Sequence, residues 1–442
     1  MRILLRAPKN TLDARPAREV LERNLILGNA GNLLFIGAAQ KLLSAPGVRI
    51  EPDRARVGAR DAGMINERFD HYVVPLANAF RPFYESSLLQ HAALLSRLRI
   101  PVTVLGVAAQ GSVAGDFSRL RPMEPAIRAF LRAVLDRGPS IGVRGELTAD
   151  YVRGLGFHDV AVIGCPSMFA GGPALPAPRV VDLTGDARVA ITISPYTAAM
   201  APIVRANLAR YPKLEYIAQD LESIELLLWG VPWKRGLPGD AMPVHPSHPL
   251  IEGGRMRLFL DPWPWVEYLR GFAAVFGSRI HGSIAAVLAG TPVVVLPHDS
   301  RTLELARYFE IPHRPVREVA PDIDPALLVQ EADFGPLIAG HAARWQRFAD
   351  YLASHRLDHV FAHPGAAAVF DAEVASTAYP APLASPAPGF GAAPLSVAAR
   401  VDAALFRGRR ALRRGSLRKV RLAALRSGSQ PEPTDQAAPL AT

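Results

Sequence analysis

Residues 277–312, GSRIHGSIAAVLAGTPVVVLPHDSRTLELARYFEIP, decide the fold. An apolar strand at 273–276 precedes a Gly-Ser turn, and a helical segment then leads to a second apolar strand at 292–296. This order predicts a βαβ unit with parallel strands. Arg279 and His281 lie where the first strand gives way to the helix, whose N-terminus offers unpaired N–H groups and a partial positive charge. The pattern predicts an anion site with an acid or base beside it.

A second polar cluster follows the strand at 292–296. It contains His298, Asp299, Arg301 and Glu304. Because ligands of parallel α/β sheets bind outside the carboxyl ends of the strands, we expect both clusters on the same rim of the sheet. Asp299 also precedes a helix that starts near Thr302, so capping that helix is an equally good interpretation.

Apolar runs alternate with helical patterns along most of the chain, which predicts an α/β protein with parallel sheets. The other predicted strands are 24–27, 71–74, 101–106, 140–144, 160–164, 188–193 and 214–219. The predicted helices include 33–43, 146–155, 222–228, 264–270 and 340–355, the last of which could pack back across the domains.

The length of 442 residues exceeds what one core usually supports, so two domains are expected. We predict an N-terminal Rossmann-like domain at 1–178, ending in a Gly- and Pro-rich linker, and a C-terminal one at 179–372. A flexible Ala- and Pro-rich linker at 373–395 and a basic amphipathic tail at 396–442 follow. Two doubly wound domains resemble the GT-B arrangement of glycosyltransferases, which places the active site in the cleft between them.

The distribution of charge and the cysteine content exclude some classes of protein. Ten basic residues and one acidic residue lie between 396 and 426, so most of the formal net charge of +10 belongs to the tail and does not indicate nucleic-acid binding by the folded body. The single cysteine, Cys165, excludes an internal disulfide and is interpreted as a small buried residue. No signal peptide or membrane-spanning run is evident, so a cytoplasmic protein is expected. The abundance of Ala, Arg and Pro suggests a bacterial source.

Several short motifs, in this order, resemble those of the polysaccharide pyruvyl transferases. The resemblance covers about residues 20–350, although Ala108 stands where the family has a second glycine. The motifs are GNAGN at 28–32, GVAAQG at 106–111, GVRGELT at 142–148, GCPS at 164–167, RIH at 279–281, AVLAGTP at 286–292 and DSRTLE at 299–304.

The resemblance implies that phosphoenolpyruvate and a sugar diol are converted to a pyruvate ketal and inorganic phosphate. No nucleotide, redox cofactor or metal is required. Arg279 is implied as a donor-binding and catalytic residue, because arginine forks two hydrogen bonds to phosphate or carboxylate. His281 is the implied acid or base. Arg144 has an equivalent place in the other domain, and Ser278 and Gly282 complete the predicted donor site.

The acceptor is expected to be a sugar of a polysaccharide, a glycolipid or a lipid-linked precursor. Each polar residue assigned to it also has a simpler interpretation as a cap or a turn residue. The predicted acceptor-binding residues are Asn29, Asn32, Asn78, Gln110, His298, Asp299, Arg301 and Glu304.

Two other functions remain open. One is a nucleotide-sugar glycosyltransferase of the same architecture, in which Glu304 could hold a ribose. The other is a sugar-binding protein without turnover. The tail is interpreted either as a basic amphipathic helix that rests on an anionic membrane, which would hold the enzyme at the inner membrane face, or as a disordered basic segment.

Overall fold

The protein is described by a computed structural model. The structure describes residues 1–385, apart from 180, 235, 237, 238 and 240, and residues 401–408. The predicted fold class is confirmed: the chain is an α/β protein with two parallel sheets, each flanked by helices as in a Rossmann-like domain.

The first half of the chain forms a four-stranded parallel sheet in the order β2-β1-β3-β4, which a parallel pair, β5-β6, extends through a bridge between Val107 and Val143. Its strands are β1 (Arg2–Leu5), β2 (Arg49–Pro52), β3 (His71–Pro75), β4 (Val102–Leu105), β5 (Ile141–Val143) and β6 (Val160–Val162). Its helices are α1 (Ala17–Arg23), α2 (Gly31–Leu43), α3 (Ala62–Arg68), α4 (Glu85–Leu95), α5 (Glu124–Leu135) and α6 (Glu146–Gly154).

The second half forms a six-stranded sheet in the order β11-β10-β7-β8-β9-β12, parallel except for β12. Its strands are β7 (Val189–Thr192), β8 (Glu215–Ala218), β9 (Met256–Leu258), β10 (Ala274–Gly277), β11 (Val293–Val295) and β12 (Leu383–Ala384). Its helices are α7 (Met200–Arg210), α8 (Leu221–Trp229), α9 (Pro249–Glu252), α10 (Pro262–Leu269), α11 (Ile280–Leu288), α12 (Ser300–Phe309), α13 (Pro325–Gln330), α14 (Gly335–Ala339), α15 (His341–Ser354) and α16 (Ala366–Ser376).

One hydrophobic core joins the two halves. Phe35 of α2, Ile284 of α11, Phe309 of α12 and Phe348 of α15 belong to the same buried cluster. Burial of such side chains contributes about 1.5–3 kcal/mol each, so this shared core holds the two halves of the chain together.

Helix α15 packs back across the domains, as predicted. The hydroxyl of Tyr351 donates to the carbonyl of Val104 at 2.7 Å, and His355 Nδ1 lies 2.9 Å from the hydroxyl of Thr103. The C-terminal part of the chain therefore stabilises the N-terminal sheet. The domain boundaries at 178 and 372 stay a prediction.

Two sequence predictions are corrected. The strand predicted at 24–27 is wrong, because these residues form turns after α1, with left-handed φ values of 47° at Asn24 and 51° at Leu27. The first strand is instead β1. The flexible linker predicted at 373–395 begins as regular structure, since α16 extends to Ser376 and β12 pairs with β9. Residues 386–395 lie outside the described residues.

Candidate functional site

Two helix N-termini meet at the seam between the domains. Helix α11 starts directly after β10, and α2 starts after the 24–30 turn. A Cβ atom on Gly31 would lie 2.8 Å from both Cβ and Nδ1 of His281, so only glycine permits this approach. Both helix ends carry positive partial charge, which is suited to an anion. At the start of α2 the N–H groups are already paired, since those of Ala30 and Gly31 donate to the carbonyl of Gln219 and to Oδ1 of Asn29.

Arg279 immediately precedes α11 and is held in place by the second domain. Its Nε donates to the carbonyl of Ile193 at 3.2 Å, and its guanidinium forms an ion pair with Asp220. Burial lowers the pKa of Arg279, but the nearby Asp220 and Tyr216 outweigh this, so the net shift is upwards. Arg279 is therefore a permanently charged and preoriented cation.

His281 is buried one residue into α11. Its Nε2 lies 3.7 Å from the Sγ of Cys165, which in turn is 2.7 Å from the hydroxyl of Ser167. Burial, followed by the positive charges of Arg144 and Arg279, lowers the pKa of His281 well below its usual value. The imidazole is thus neutral at physiological pH and suited to accept a proton.

Arg144 follows β5 in the first domain and is also buried. Its Nε donates to the carbonyl of Gly106 at 2.9 Å, and its guanidinium carbon lies 5.4 Å from the centre of the Phe35 ring. Its Nη2 is buried and has no hydrogen-bond partner among the described residues. Burial lowers the pKa of Arg144, although Cys165 and Glu304 oppose this shift. This buried guanidinium nitrogen is therefore available as a hydrogen-bond donor to an anion.

Ser278 and Gly282 have structural roles in the packing of helix α11 and the loop before it. The hydroxyl of Ser278 accepts a hydrogen bond from the N–H of Ser194 at 2.9 Å. A Cβ on Gly282 would lie 2.6 Å from Cγ2 of Thr192, so this glycine allows α11 to pack on β7. Their predicted contact with the donor stays a prediction.

The second polar cluster lies along the start of α12 and mainly stabilises that helix. Asp299 accepts from the N–H of Thr302 at 3.1 Å and forms an ion pair with Arg301, while His298 Nε2 lies 3.6 Å from it. Asp299 therefore caps the helix, the simpler of its two interpretations.

Glu304 extends from the same helix to the other domain. Its carboxylate accepts hydrogen bonds from the N–H of Thr148 at 3.1 Å and from the Thr148 hydroxyl at 2.9 Å. Burial raises the pKa of Glu304 to about 7. Its position at the N-terminus of α6 joins α12 to the first domain.

The polar residues predicted in the first domain divide into two groups. Asn29 lies near the site, because its Nδ2 is 3.5 Å from Asp220, and its Oδ1 accepts from the N–H of Gly31. Asn32 instead donates to the carbonyls of Ile26 and Leu27 and stabilises the turn. Asn78 and Gln110 lie on adjacent loops further along the seam. The structure therefore brings together Asn29, Arg144, Arg279 and His281.

Asp220, Gln219 and Cys165 are residues of this site that the sequence did not assign. Gln219 and Asp220 directly follow strand β8. Nε2 of Gln219 and Oδ2 of Asp220 are buried and have no hydrogen-bond partner among the described residues. Polar residues after an apolar strand are the signal that could have indicated them. Within the described residues, no group of three or more His, Cys, Asp and Glu side chains could hold a metal ion.

Solved structures that resemble the chain are of low similarity. A putative UDP-N-acetylglucosamine 2-epimerase from Listeria monocytogenes has 13% sequence identity and a TM-score of 0.40, with 80% of this chain and 94% of the other covered. The Anabaena HepE protein in complex with UDP and glucose has 12% identity and a TM-score of 0.40, with 80% and 97% covered. The glycosyltransferase SnogD from Streptomyces nogalater has 15% identity and a TM-score of 0.31, with 80% and 98% covered.

Sequence comparison gives a more specific result. No curated protein matches the sequence. The model of the polysaccharide pyruvyl transferase family matches residues 29–300, which is more than half of the chain and includes Asn29, Arg144, Cys165, Arg279 and His281. The chain therefore belongs to the polysaccharide pyruvyl transferases, a family of transferases.

Proposed function

We propose that the protein transfers the pyruvyl group of phosphoenolpyruvate to two hydroxyls of a sugar and forms a cyclic ketal. The observation that carries the proposal is the buried pair of Arg144 and His281, in which Arg144 has an unpaired Nη2 and His281 is neutral. A donor with a phosphate and a carboxylate needs two cationic sites, and Arg144 and Arg279 supply them from opposite domains.

The chemistry assigns different tasks to the site residues. As the methylene carbon of the donor takes up a proton, positive charge develops at C2 and the first sugar hydroxyl attacks it. His281 accepts the proton of that hydroxyl. The second hydroxyl then attacks C2 and displaces the phosphate, which takes up the proton of that hydroxyl and leaves as hydrogen phosphate. The proton that His281 receives balances the one that the methylene carbon took from solvent. The negative charge of the bound donor raises the pKa of His281, which improves it as a base in the complex.

Donor binding and turnover test the proposal separately. Calorimetry should show that phosphoenolpyruvate binds the wild-type protein and that Arg279→Ala weakens this binding, whereas Arg270→Ala, an exposed arginine paired with Glu267, does not. His281→Asn should keep donor binding and lose about a hundredfold to ten-thousandfold in turnover. Donor binding that is equal in wild type and Arg279→Ala would contradict the assignment.

Product analysis tests the reaction itself. Cell-surface glycans with and without the protein should differ by a pyruvate-sized mass, and purified protein should release phosphate from phosphoenolpyruvate in the presence of the acceptor. Transfer of sugar from a nucleotide sugar would instead identify a glycosyltransferase. A sugar-binding protein would do neither.

We also propose that the tail at 396–426 brings the enzyme to an anionic membrane surface. The described residues 401–408 are helical, and Val401 and Leu405 on one face are 50% and 56% exposed. On the other face Asp402 pairs with Arg18, and Phe406 contacts Trp229. The docked face fixes the helix, and the apolar exposed face is free to enter lipid. Residues 396–400 and 409–426 lie outside the described residues. None of the described helices is long and apolar enough to cross a bilayer.

A further inference from the structure

The first sheet has a switch point that the proposed donor site does not use. In the order β2-β1-β3-β4, the chain continues from β1 to β2 on one side and then crosses to β3 on the other. Ligands of open α/β sheets bind where the connections change direction in this way. The carboxyl ends of β1 and β3 therefore frame a crevice, whereas Arg144 lies further along the sheet, after β5.

Two arginines lie at this crevice. Burial lowers the pKa of Arg6, but the nearby Tyr84 and Asp53 outweigh this, so Asp53 balances part of its charge without forming an ion pair. Arg6 follows β1 directly, and the hydrogen bonds that its guanidinium makes to described residues are long, to the carbonyl of Pro75 at 3.3 Å and the hydroxyl of Tyr84 at 3.4 Å. Arg81 lies 5.0 Å from the centre of the Tyr84 ring. In the part of the chain that the structure describes, neither arginine forms an ion pair.

The nearest carboxylate is already occupied. Asp53 accepts hydrogen bonds from the N–H groups of Ala7 and Ala55 at 3.0 and 2.7 Å and from the hydroxyl of Tyr72 at 2.8 Å. Arg6 and Arg81 are both partly buried, and Asn78 on the same loop has a buried Oδ1 without a described partner. Partly buried arginines that form no ion pair keep N–H donors available for an anion.

An exposed aromatic residue follows Arg81 by two positions in the same loop. Phe83 is 92% exposed and has a left-handed φ of 68°, a costly conformation for a residue with a bulky side chain. Such strain is found where a ligand site requires it. An exposed ring next to an anion site is suited to pack on the apolar face of a sugar or a base.

The crevice belongs to the same cleft as the donor site. The N–H of Gln110 donates to the carbonyl of Phe80 at 2.8 Å, and the N–H of Gly111 donates to the hydroxyl of Ser300 in the other domain at 2.8 Å. The charge of Arg301 lowers the pKa of Arg81 and also that of Arg144, although burial is the larger cause for each. Arg301 therefore lies close enough to Arg81 and to Arg144 to act on both through its charge, which connects the crevice with the donor site.

We propose that Arg6 and Arg81 bind the phosphate or diphosphate of the acceptor, so that the acceptor is a sugar joined to a phosphate rather than a finished polysaccharide. The identity of this molecule as the acceptor rests on the proposed function. Arginine forks suit the oxygens of a diphosphate, and Phe83 packs on the group that the phosphate carries. A nucleotide sugar and a lipid-linked sugar present the same diphosphate.

Calorimetry on the full-length protein tests this site without knowledge of the acceptor sugar. The probes are inorganic pyrophosphate, UDP-glucose and farnesyl diphosphate, and the variants are Arg81→Gln and Arg6→Gln. Arg49→Gln is the control, because Arg49 is exposed at the opposite end of the same sheet. We expect pyrophosphate to bind the wild type and the control equally, and each site variant to bind it at least tenfold more weakly.

Comparing the affinities of the three probes shows which kind of diphosphate the crevice binds and which results would refute the site. Tighter binding of UDP-glucose than of pyrophosphate supports a nucleotide sugar, and tighter binding of farnesyl diphosphate supports a lipid-linked sugar. If no phosphate probe binds, or if folded Arg81→Gln and Arg6→Gln bind pyrophosphate as the control does, the site is refuted. If Arg81→Gln weakens the binding of phosphoenolpyruvate as much as the binding of pyrophosphate, the crevice binds the donor, and the proposal is also refuted. If Arg279→Ala does not weaken the binding of phosphoenolpyruvate, only the proposed donor site is refuted, and the phosphate site at Arg6 and Arg81 is not affected.

Discussion

Nε2 of His281 lies 3.7 Å from the Sγ of Cys165, the single thiol of the chain, and both side chains are buried. Burial raises the pKa of the Cys165 thiol, so the sulfur is protonated at neutral pH. A thiol beside a neutral imidazole nitrogen fixes the orientation of the ring. Cys165 is therefore interpreted as the residue that positions His281, which is more than the small core residue that the sequence predicts.

Replacing Cys165 tests this positioning. Cys165→Ala should keep donor affinity and lower turnover between about tenfold and a hundredfold, because a small displacement of a catalytic group is costly. Cys165→Ser should retain much of the activity, since a hydroxyl also bonds to the imidazole. Steady-state kinetics and thermal melting of both variants give the result. Unchanged turnover in Cys165→Ala would show that the contact is not needed.

Arg279 and Asp220 form an ion pair, so a variant of either residue can lose activity through lower stability as well as through weaker donor binding. Stability must therefore be measured for each variant. The side chains of Arg279 and Asp220 are 19% and 6% exposed, so removing one partner leaves a buried charge and should cost about 3–5 kcal/mol of unfolding free energy. Arg279→Lys keeps the charge and loses the fork, so it should be more stable than Arg279→Ala but still bind phosphoenolpyruvate more weakly than wild type.

Urea unfolding and donor calorimetry on the same preparations distinguish the two effects. The double variant Arg279→Ala with Asp220→Ala should be more stable than Arg279→Ala alone, because no buried charge remains. It should not regain donor binding. Recovery of binding in the double variant would contradict a direct role of Arg279 in holding the donor.

Glu304 should make stability depend on pH near neutrality. Burial raises its pKa to about 7 in the folded protein, against an ordinary value near 4.5. The protonated form is therefore favoured by folding, and this contribution is fully present below pH 4.5 and is lost as pH rises through 7. The difference corresponds to roughly 3 kcal/mol at most.

The matched variant Glu304→Gln removes this titration. As the pH rises from 5 to 8, the unfolding free energy of the wild type should fall relative to that of Glu304→Gln. Comparing the two proteins at each pH cancels the opposite effect of His71 and His355, whose buried rings have pKa values lowered to about 4 and favour folding at higher pH. A difference that does not change with pH would show that Glu304 does not titrate in this range.

The sequence could predict those parts of the site that one βαβ unit builds. Strands β10 and β11 follow the predicted bounds within one residue, and helix α11 lies between them as predicted, because long apolar runs and a Gly-Ser turn determine these elements locally. Arg279 and His281 consequently lie where the pattern indicates. Strand β9, with Arg257 at its centre and glycines before it, has no such pattern and was not predicted.

Contacts between distant parts of the chain could not be predicted. The approach of Gly31 to His281 joins residues 250 positions apart in sequence and depends on how α2 packs against α11. The same is true of the bond between Glu304 and Thr148. Such contacts are determined by the shared core of the two domains, which no local periodicity specifies.

Truncation of the tail tests membrane binding, and the structure determines where to cut. Ala403 is fully buried, and Asp402 accepts from the indole N–H of Trp229 at 3.1 Å, so a cut within 401–408 would damage the folded body. Ending the chain after Gly408 keeps these contacts and removes eight of the ten basic residues between 396 and 426. At roughly 1 kcal/mol per basic residue near an anionic surface, the full-length protein should pellet with anionic liposomes and the truncated protein should stay in solution. Added salt should release the full-length protein, and neutral liposomes should not bind it. Equal pelleting of the two proteins would exclude the tail from membrane binding.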